Sequence, residues 1–258
     1  MNKKKHIIII GLRRSGTTIF IDTLRQDKRL TCFDEPFNKY VQDKFTYYVH
    51  GFKEFYENKA ILQDVYCPVT LDEEITDKLN TLQQSYLKAL CSFEHTCIDE
   101  TRTLLKIEAI REAVPDALIV LLIRDPRAWI TSNLRIRGEW EHPDLPRRFF
   151  EYNDFGHWGY QYISELLNFE GYAHEQLMCL WDLFNSEAIK SQPDMIIQFE
   201  KFCYDPGHYL ESIYNMLDID LYKFDHSEIH KPNKAYDVFN SEWDKLNINE
   251  DMSKYVYW

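Results

Sequence analysis

The sequence predicts an α/β fold, a single three-layer domain with a mainly parallel central sheet and helices on both faces. Three observations carry that expectation. Ile7 to Ile10 and Ala117 to Ile123 are apolar runs of strand length without a polar residue, the pattern of strands buried on both faces. Each is followed by a turn and then by apolar residues at helical spacing. Strand and helix patterns then alternate through most of the chain, as parallel strands joined by helical crossovers require. The 258 residues suit one large domain, 1–258, with a helical insert at about 37–93 and a C-terminal extension from about 219.

Composition narrows the class of partner. A hydrophobic content of 45%, with 15% aromatic residues, supports a substantial core rather than a disordered chain. A formal charge of −12 argues against broad binding to nucleic acid or to an anionic membrane, so any anion site must be basic only locally. Lys3, Lys4 and Lys5 precede an apolar run that stops at Gly11, too short for a signal peptide, and read as residues flanking the first strand. No run has the length of a membrane span. Cysteines 32, 67, 91, 97, 179 and 203 form no Cys-x-x-Cys pair, so reduced thiols in a cytoplasmic protein, without structural zinc, are expected.

The first strand opens into Gly11-Leu12-Arg13-Arg14-Ser15-Gly16 and then a helix on which Phe20, Ile21 and Leu24 recur at helical spacing. Strand, tight loop and helix in this order leave the first helical N–H groups unpaired. With the positive end of the helix dipole, they attract a phosphate. Gly11 and Gly16 have the separation of the nucleoside-triphosphate P-loop, Gly-x-x-x-x-Gly-Lys-Ser/Thr, so the domain is expected to be P-loop-like. The lysine position is Thr17, however, and the cations come earlier, at Arg13 and Arg14. A basic residue followed by Ser15-Gly16-Thr17-Thr18 after a hydrophobic strand resembles the 5′-phosphosulfate-binding loop of sulfotransferases that use 3′-phosphoadenosine-5′-phosphosulfate (PAPS). A glycine turn that merely joins strand to helix also fits this loop taken alone.

Leu30 to Phe33 reads as a second strand ending at Asp34-Glu35-Pro36, with its polar end near the phosphate loop. From Phe37 to Phe93 the pattern is mainly helical and aromatic, and Ile75, Leu79, Leu82, Tyr86, Leu87 and Leu90 fit an amphipathic helix on the sheet. Thr96 to Ile98 is a third strand, ending at Asp99-Glu100-Thr101-Arg102. Leu104, Leu105, Ile107, Ile110 and Val114 then make a helical stripe closed by Pro115. After the fourth strand, Asp125 is suited to cap a helix and Pro126 to its first turn. Ser132 follows Arg124 by eight residues. A strand ending in Arg124-Asp125-Pro126-Arg127 with serine at that spacing resembles the 3′-phosphate-binding segment of the same sulfotransferases. Arg124 projects from the strand's end, and Ser132, about two turns along the helix, can offer a hydroxyl to the same phosphate.

The section from 135 to 171 mixes Arg137, Arg147 and Arg148 with many aromatics and fits either an acceptor pocket or a surface loop pinned by aromatic packing. A long helix at about 172–190, a strand at Met195 to Phe199, Glu200, and a helix opened by Asp205-Pro206 follow. This order also resembles the carboxyl-terminal half of sulfotransferases. The late basic segment holding Lys231 and Lys234 matches, loosely, the loop that closes over the nucleotide in that family, and a solvated basic turn fits it as well.

What the resemblance implies is sulfuryl transfer from PAPS to a hydroxyl, less often an amine, by in-line displacement without a metal. Arg13, Arg14, Ser15, Gly16, Thr17 and Thr18 would hold the 5′-phosphosulfate, and Arg124 and Ser132 the 3′-phosphate. Arg14 would also stabilise the leaving group. A hydroxyl acceptor needs a general base. Glu35 is the first candidate, since Glu-Pro after the second strand resembles bacterial and carbohydrate sulfotransferases that use a glutamate there; Asp34, Asp99 and Glu100 are the reserves. Between Glu100 and Glu108 there is no histidine, which departs from the phenol and steroid branch. The resemblance implies an acceptor that is a small molecule or carbohydrate. A P-loop kinase or hydrolase, or a catalytically silent nucleotide-binding protein, are the other readings; the kinase leaves Arg124-Asp125-Pro126-Arg127 without a purpose.

Overall fold

In the computed structural model, which describes residues 3–135, 173–227, 229 and 250–255, five parallel strands form one sheet. They are β1 (His6–Ile10), β2 (Thr31–Asp34), β3 (Thr96–Glu100), β4 (Ala117–Ile123) and β5 (Met195–Gln198), in the order β2-β3-β1-β4-β5. Ile7 pairs with Cys97 on one side and with Leu118 on the other, so β1 is central. The chain leaves β1 toward β2 and leaves β4 toward β5, in opposite directions, so a crevice opens beyond the carboxyl ends of β1 and β4. The two segments singled out for phosphate binding begin at those two strand ends.

Every residue of β1, β3 and β4 is buried. Side chains alternate between two cores, as the twofold period of a strand dictates. Ile8, Ile10, Ile119, Leu121 and Ile123 face one core; Ile7, Ile9, Leu118, Val120 and Leu122 face the other. The second core is closed by α1 (Thr17–Leu24) through Phe20, Ile21 and Leu24. Short helices α2 (Val41–Lys44), α3 (Lys53–Glu57) and α4 (Lys59–Leu62) lead to α5 (Thr81–Leu90), and with α6 (Ile107–Ala113) they cover the first core. Helices α7 (Pro126–Arg135) and α8 (Ala173–Lys190) complete that side through Trp129, Ile130, Leu177 and Trp181. On the opposite side, α9 (Phe199–Tyr204) and α10 (Pro206–Leu217) add Phe202, Leu210, Ile213 and Leu217.

Two helices are shorter than their stripes suggest. Asn80 and Gln83 form a reciprocal capping box that starts α5 at Thr81, leaving Ile75 and Leu79 before it, and Leu82 is 68% exposed. Leu104 and Leu105 precede α6, because the fully buried Lys106 turns away to hold the segment at 73–76, donating to the carbonyls of Glu73 and Thr76, each at 2.6 Å. Lys231, Lys234, Arg137 and the aromatic segment at 140–162 lie outside the described residues. Among the described residues no helix is long and apolar enough to cross a membrane.

Gly11 makes the central crossover possible. A Cβ there would lie 2.7 Å from the carbonyl oxygen of Leu122, a backbone atom of β4 that cannot swing aside. Gly11→Ala is expected to lower the unfolding free energy by roughly 1–3 kcal/mol through overpacking. Urea denaturation measures this, and a loss below about 0.5 kcal/mol, the range of an indifferent surface change, would show that the strands yield.

Candidate active site

The loop after β1 reaches α1 through two left-handed residues, Arg14 at φ 74° and Gly16 at φ 95°. Glycine is required at the second position on two counts: its positive φ, and the ring of Phe199, only 2.2 Å from where a Cβ would stand. The first turn of α1 carries no acidic side chain to compete with an anion. Ser15 donates its N–H to the Leu12 carbonyl at 3.0 Å, so that N–H is engaged within the loop. The N–H groups of Gly16, Thr17 and Thr18, at the helix start, have no acceptor within the helix. Thr18 and Arg14 face solvent, whereas Ser15 and Thr17 are buried.

The segment after β4 meets this loop. Arg124 donates from its guanidinium to the Arg14 carbonyl at 2.9 Å and lies over the Phe199 ring, 5.4 Å from its centroid. Arg14 Nε donates to Ser132 Oγ at 3.2 Å. Arg14, Arg124 and Ser132, distant in sequence, are thus brought together at the switch point of the sheet. Two buried indoles fix their backbones: Trp129 Nε1 donates to the Arg13 carbonyl at 2.7 Å, and Trp181 Nε1 to that of Arg124 at 2.9 Å. Asp125 starts α7 as a cap, accepting the Arg127 N–H at 2.9 Å, while its own N–H donates to the buried carboxyl of Glu200 at 3.1 Å.

Arg13 is turned elsewhere. It donates to Glu74 Oε1 at 2.6 Å. Glu35 itself has a left-handed backbone, φ 43°, and its N–H donates to the Asp99 carbonyl at 2.8 Å. Its carboxylate accepts from the Thr101 hydroxyl at 3.0 Å and from Asn38 Nδ2 at 2.7 Å, and remains partly exposed. Non-glycine residues at positive φ are strained, and both Arg14 and Glu35 carry that strain.

Asp34, Glu35, Asp99 and Glu100 gather at the ends of β2 and β3, with Asp34 beside Asp99 in register. Burial pushes the Asp34 carboxyl up to about 6, helped by the charge of Glu35. It pushes Glu100 to about 7, again with Glu35 next in effect, and Asp99 well above the carboxylate range, with Asp34 next. Glu100 spends its oxygens on the N–H groups of Phe37 (2.9 Å) and Arg102 (2.7 Å). Asp99, 1% exposed, lies against Thr17 and Asp34. Glu74, Lys106 and the two indole contacts were not legible in the sequence. A buried Trp must find an acceptor, but nothing in the spacing says which.

A five-stranded parallel sheet with an anion-receptive loop after its central strand, and a second arginine segment after the neighbouring one, defines a class of phosphate-binding α/β enzymes. The chain belongs to the sulfotransferase family: residues 6–223 match the profile of that family. No curated protein matches the sequence. Among solved structures it is similar to a sulfotransferase from Alicyclobacillus acidocaldarius, with 15% identity over 90% of this chain and 88% of that one and a TM-score of 0.49. Sulfotransferase STF1 from Mycobacterium tuberculosis matches with 13% identity over 86% and 69% and a TM-score of 0.50. Mouse sulfotransferase SULT7A1, solved with PAP, matches with 13% identity over 85% and 60% and a TM-score of 0.39. At these identities the STF1 likeness is one of fold. The protein is a sulfotransferase of a single α/β domain.

Glu200 offers a test of the buried cap under α7. Its burial, reinforced by the charge of Asp125, raises its pKa from 4.5 to about 7 in the folded chain. A raised carboxyl contributes stability that is complete below pH 4.5 and lost as pH rises through about 7. Glu200→Gln should therefore flatten the decline of Tm between pH 5 and 8 measured by calorimetry, and parallel curves for variant and parent would show that Glu200 does not titrate there.

Proposed function

We propose that the protein moves a sulfuryl group from PAPS to a hydroxyl acceptor, with Arg14 and the start of α1 at the 5′-phosphosulfate and Arg124 and Ser132 at the 3′-phosphate. The observation that carries this reading is the convergence of Arg14, Arg124 and Ser132 at the ends of β1 and β4, with Glu35 presented from β2. The resident groups suit the donor: two guanidiniums, a hydroxyl, and a helix start free of acidic side chains. PAPS supplies the sulfuryl group; as the acceptor oxygen bonds to sulfur, the bond from sulfur to the bridging phosphate oxygen breaks, and that oxygen keeps the electron pair. Arg14 and the N–H groups of Gly16, Thr17 and Thr18 stabilise the charge that grows there, already in place before reaction.

Glu35 takes the acceptor's proton on a carboxylate oxygen. Of the four clustered acids, Asp99 and Glu100 are 1% and 0% exposed and out of an acceptor's reach. Glu35 and Asp34 are reachable, and Glu35 is oriented by Thr101 and Asn38. An amine acceptor would use the same geometry. A kinase reading is disfavoured by Thr17, which stands where that chemistry places lysine. Six free thiols agree with a cytoplasmic setting. Lys231 and Lys234 keep their proposed place over the nucleotide on the family resemblance alone.

Calorimetric titration with 3′-phosphoadenosine-5′-phosphate (PAP), in chelator and beside ATP with magnesium, tests the donor site. Arg124→Ala should weaken PAP roughly 10–100-fold, the worth of a charge-assisted hydrogen bond, and adenosine-5′-phosphosulfate much less. Equal losses would remove Arg124 from the 3′-phosphate. Glu35→Gln should keep PAP affinity while turnover falls by about 10²–10⁴, and an unchanged rate would exclude it as the base.

A further inference from the structure

Two carboxyls stand side by side under the phosphate loop. Cys32 pairs with Cys97, and Asp34 with Asp99, in the parallel register of β2 and β3. Both cysteines lie in the core that α1 closes, and side chains two residues further along a strand return to the same face, so Asp34 and Asp99 face α1 together. Strands so paired are about 4.8 Å apart, which makes the two carboxyls immediate neighbours. Asp99 is 1% exposed and lies against Thr17, the buried residue that opens α1. Asp34 is half-buried.

The charges around the pair decide where its proton stays. Burial first, then the charges of Asp34 and Glu35 on β2 and of Glu100 on β3, oppose ionisation of Asp99 and raise its carboxyl well above the usual range. Burial and Glu35 raise Asp34 as well, with Asp22 of α1 adding to them, but Arg25 on the same helix holds it to about 6. Two adjacent buried carboxyls do not both ionise, so Asp34, nearer to water and to a cation, gives up its proton, and Asp99 keeps one.

We propose that Asp99 is a positioning residue of the donor site: it stays protonated, donates a hydrogen bond to Thr17 Oγ1, and so leaves the Thr17 hydroxyl proton for the 5′-phosphosulfate. The inference rests on the sulfotransferase reading of the same loop. A hydroxyl has one proton to give and lone pairs with which to accept. An ionised Asp99 would take that proton and turn it from the anion; a neutral Asp99 engages the oxygen from behind. Neutrality also keeps a negative charge from beneath the helix start, where the ligand's own charge must sit.

Infrared difference spectra and calorimetry test this together. At about pH 9, where Glu100 and Glu200, each raised to about 7, are ionised, the parent should still show a protonated-carboxyl band that Asp99→Asn loses. Asp34→Asn removes the neighbouring charge, so its band should vanish at lower pH than the parent's. Asparagine offers Thr17 a permanent donor: Asp99→Asn should bind PAP within about threefold of the parent, whereas Asp99→Ala should lose about tenfold, the effect of one hydrogen bond to a charged group. Thr17→Val, which keeps the shape and removes the hydroxyl, should also lose about tenfold and erase the difference between asparagine and alanine at 99. A parent without the band at that pH, a band unchanged in Asp99→Asn, or asparagine and alanine variants that bind PAP alike overturns the proposal. Should alanine at 99 fail to fold, Thr17→Val decides in its place: binding equal to the parent's overturns the proposal. The spectra need no ligand, so if PAP itself fails to bind, the donor reading fails separately and the band still decides whether Asp99 holds a proton.

Discussion

The loop after β1 is held through its carbonyls. Trp129 donates to the carbonyl of Arg13, Arg124 to that of Arg14, and the Phe199 ring lies under Gly16. Without those contacts, a stretch with left-handed residues at Arg14 and Gly16 would relax toward commoner backbone angles. Each contact comes from an element that follows β4 or β5, so the loop's shape depends on the parallel pairing of β1 with β4 and of β4 with β5. The pairing, in turn, depends on Gly11, which lets the main chain pass the Leu122 carbonyl. Local geometry at the phosphate loop is therefore a product of the whole sheet.

Charge is divided between the two halves of that sheet. The ends of β1 and β4 carry guanidiniums, hydroxyls and a helix start; the ends of β2 and β3 carry four carboxyls. Packing four acids together is tolerable because burial raises three of them, so the group does not carry four full charges at neutral pH. Glu35 has donors of its own, from Thr101 and Asn38. An acid bank beside a basic cleft sets a steep field across a short distance.

Much of this was legible in the sequence, and for physical reasons. Runs such as Ala117 to Ile123 have only one low-energy fate, a strand covered on both faces. Asp125-Pro126 announces a helix start because cap and ring act locally. Arg14, Arg124 and Ser132 could be expected at one end of the sheet because each sits at a fixed offset from a strand that could be read. Glu74 was not, since its role comes from Arg13 and Arg102, residues that spacing cannot connect to it. The start of α5 was misread because apolar Ile75 and Leu79 extend the stripe, while the backbone obeys the reciprocal Asn80–Gln83 cap. Lys106 offered no hint, for a lysine on an apolar stretch reads as a solvated side chain until its Nζ is found inside the 73–76 segment.

The indole contacts have a consequence for how such a site changes over generations. Trp129 and Trp181 grip the main chain of the two arginine positions and leave their side chains out of the grip. The route of the polypeptide and the cargo it displays are thereby separate inheritances: one written in tryptophans far along the chain, the other in codons at the cleft. A lineage can exchange the side chain on a frame that stays put.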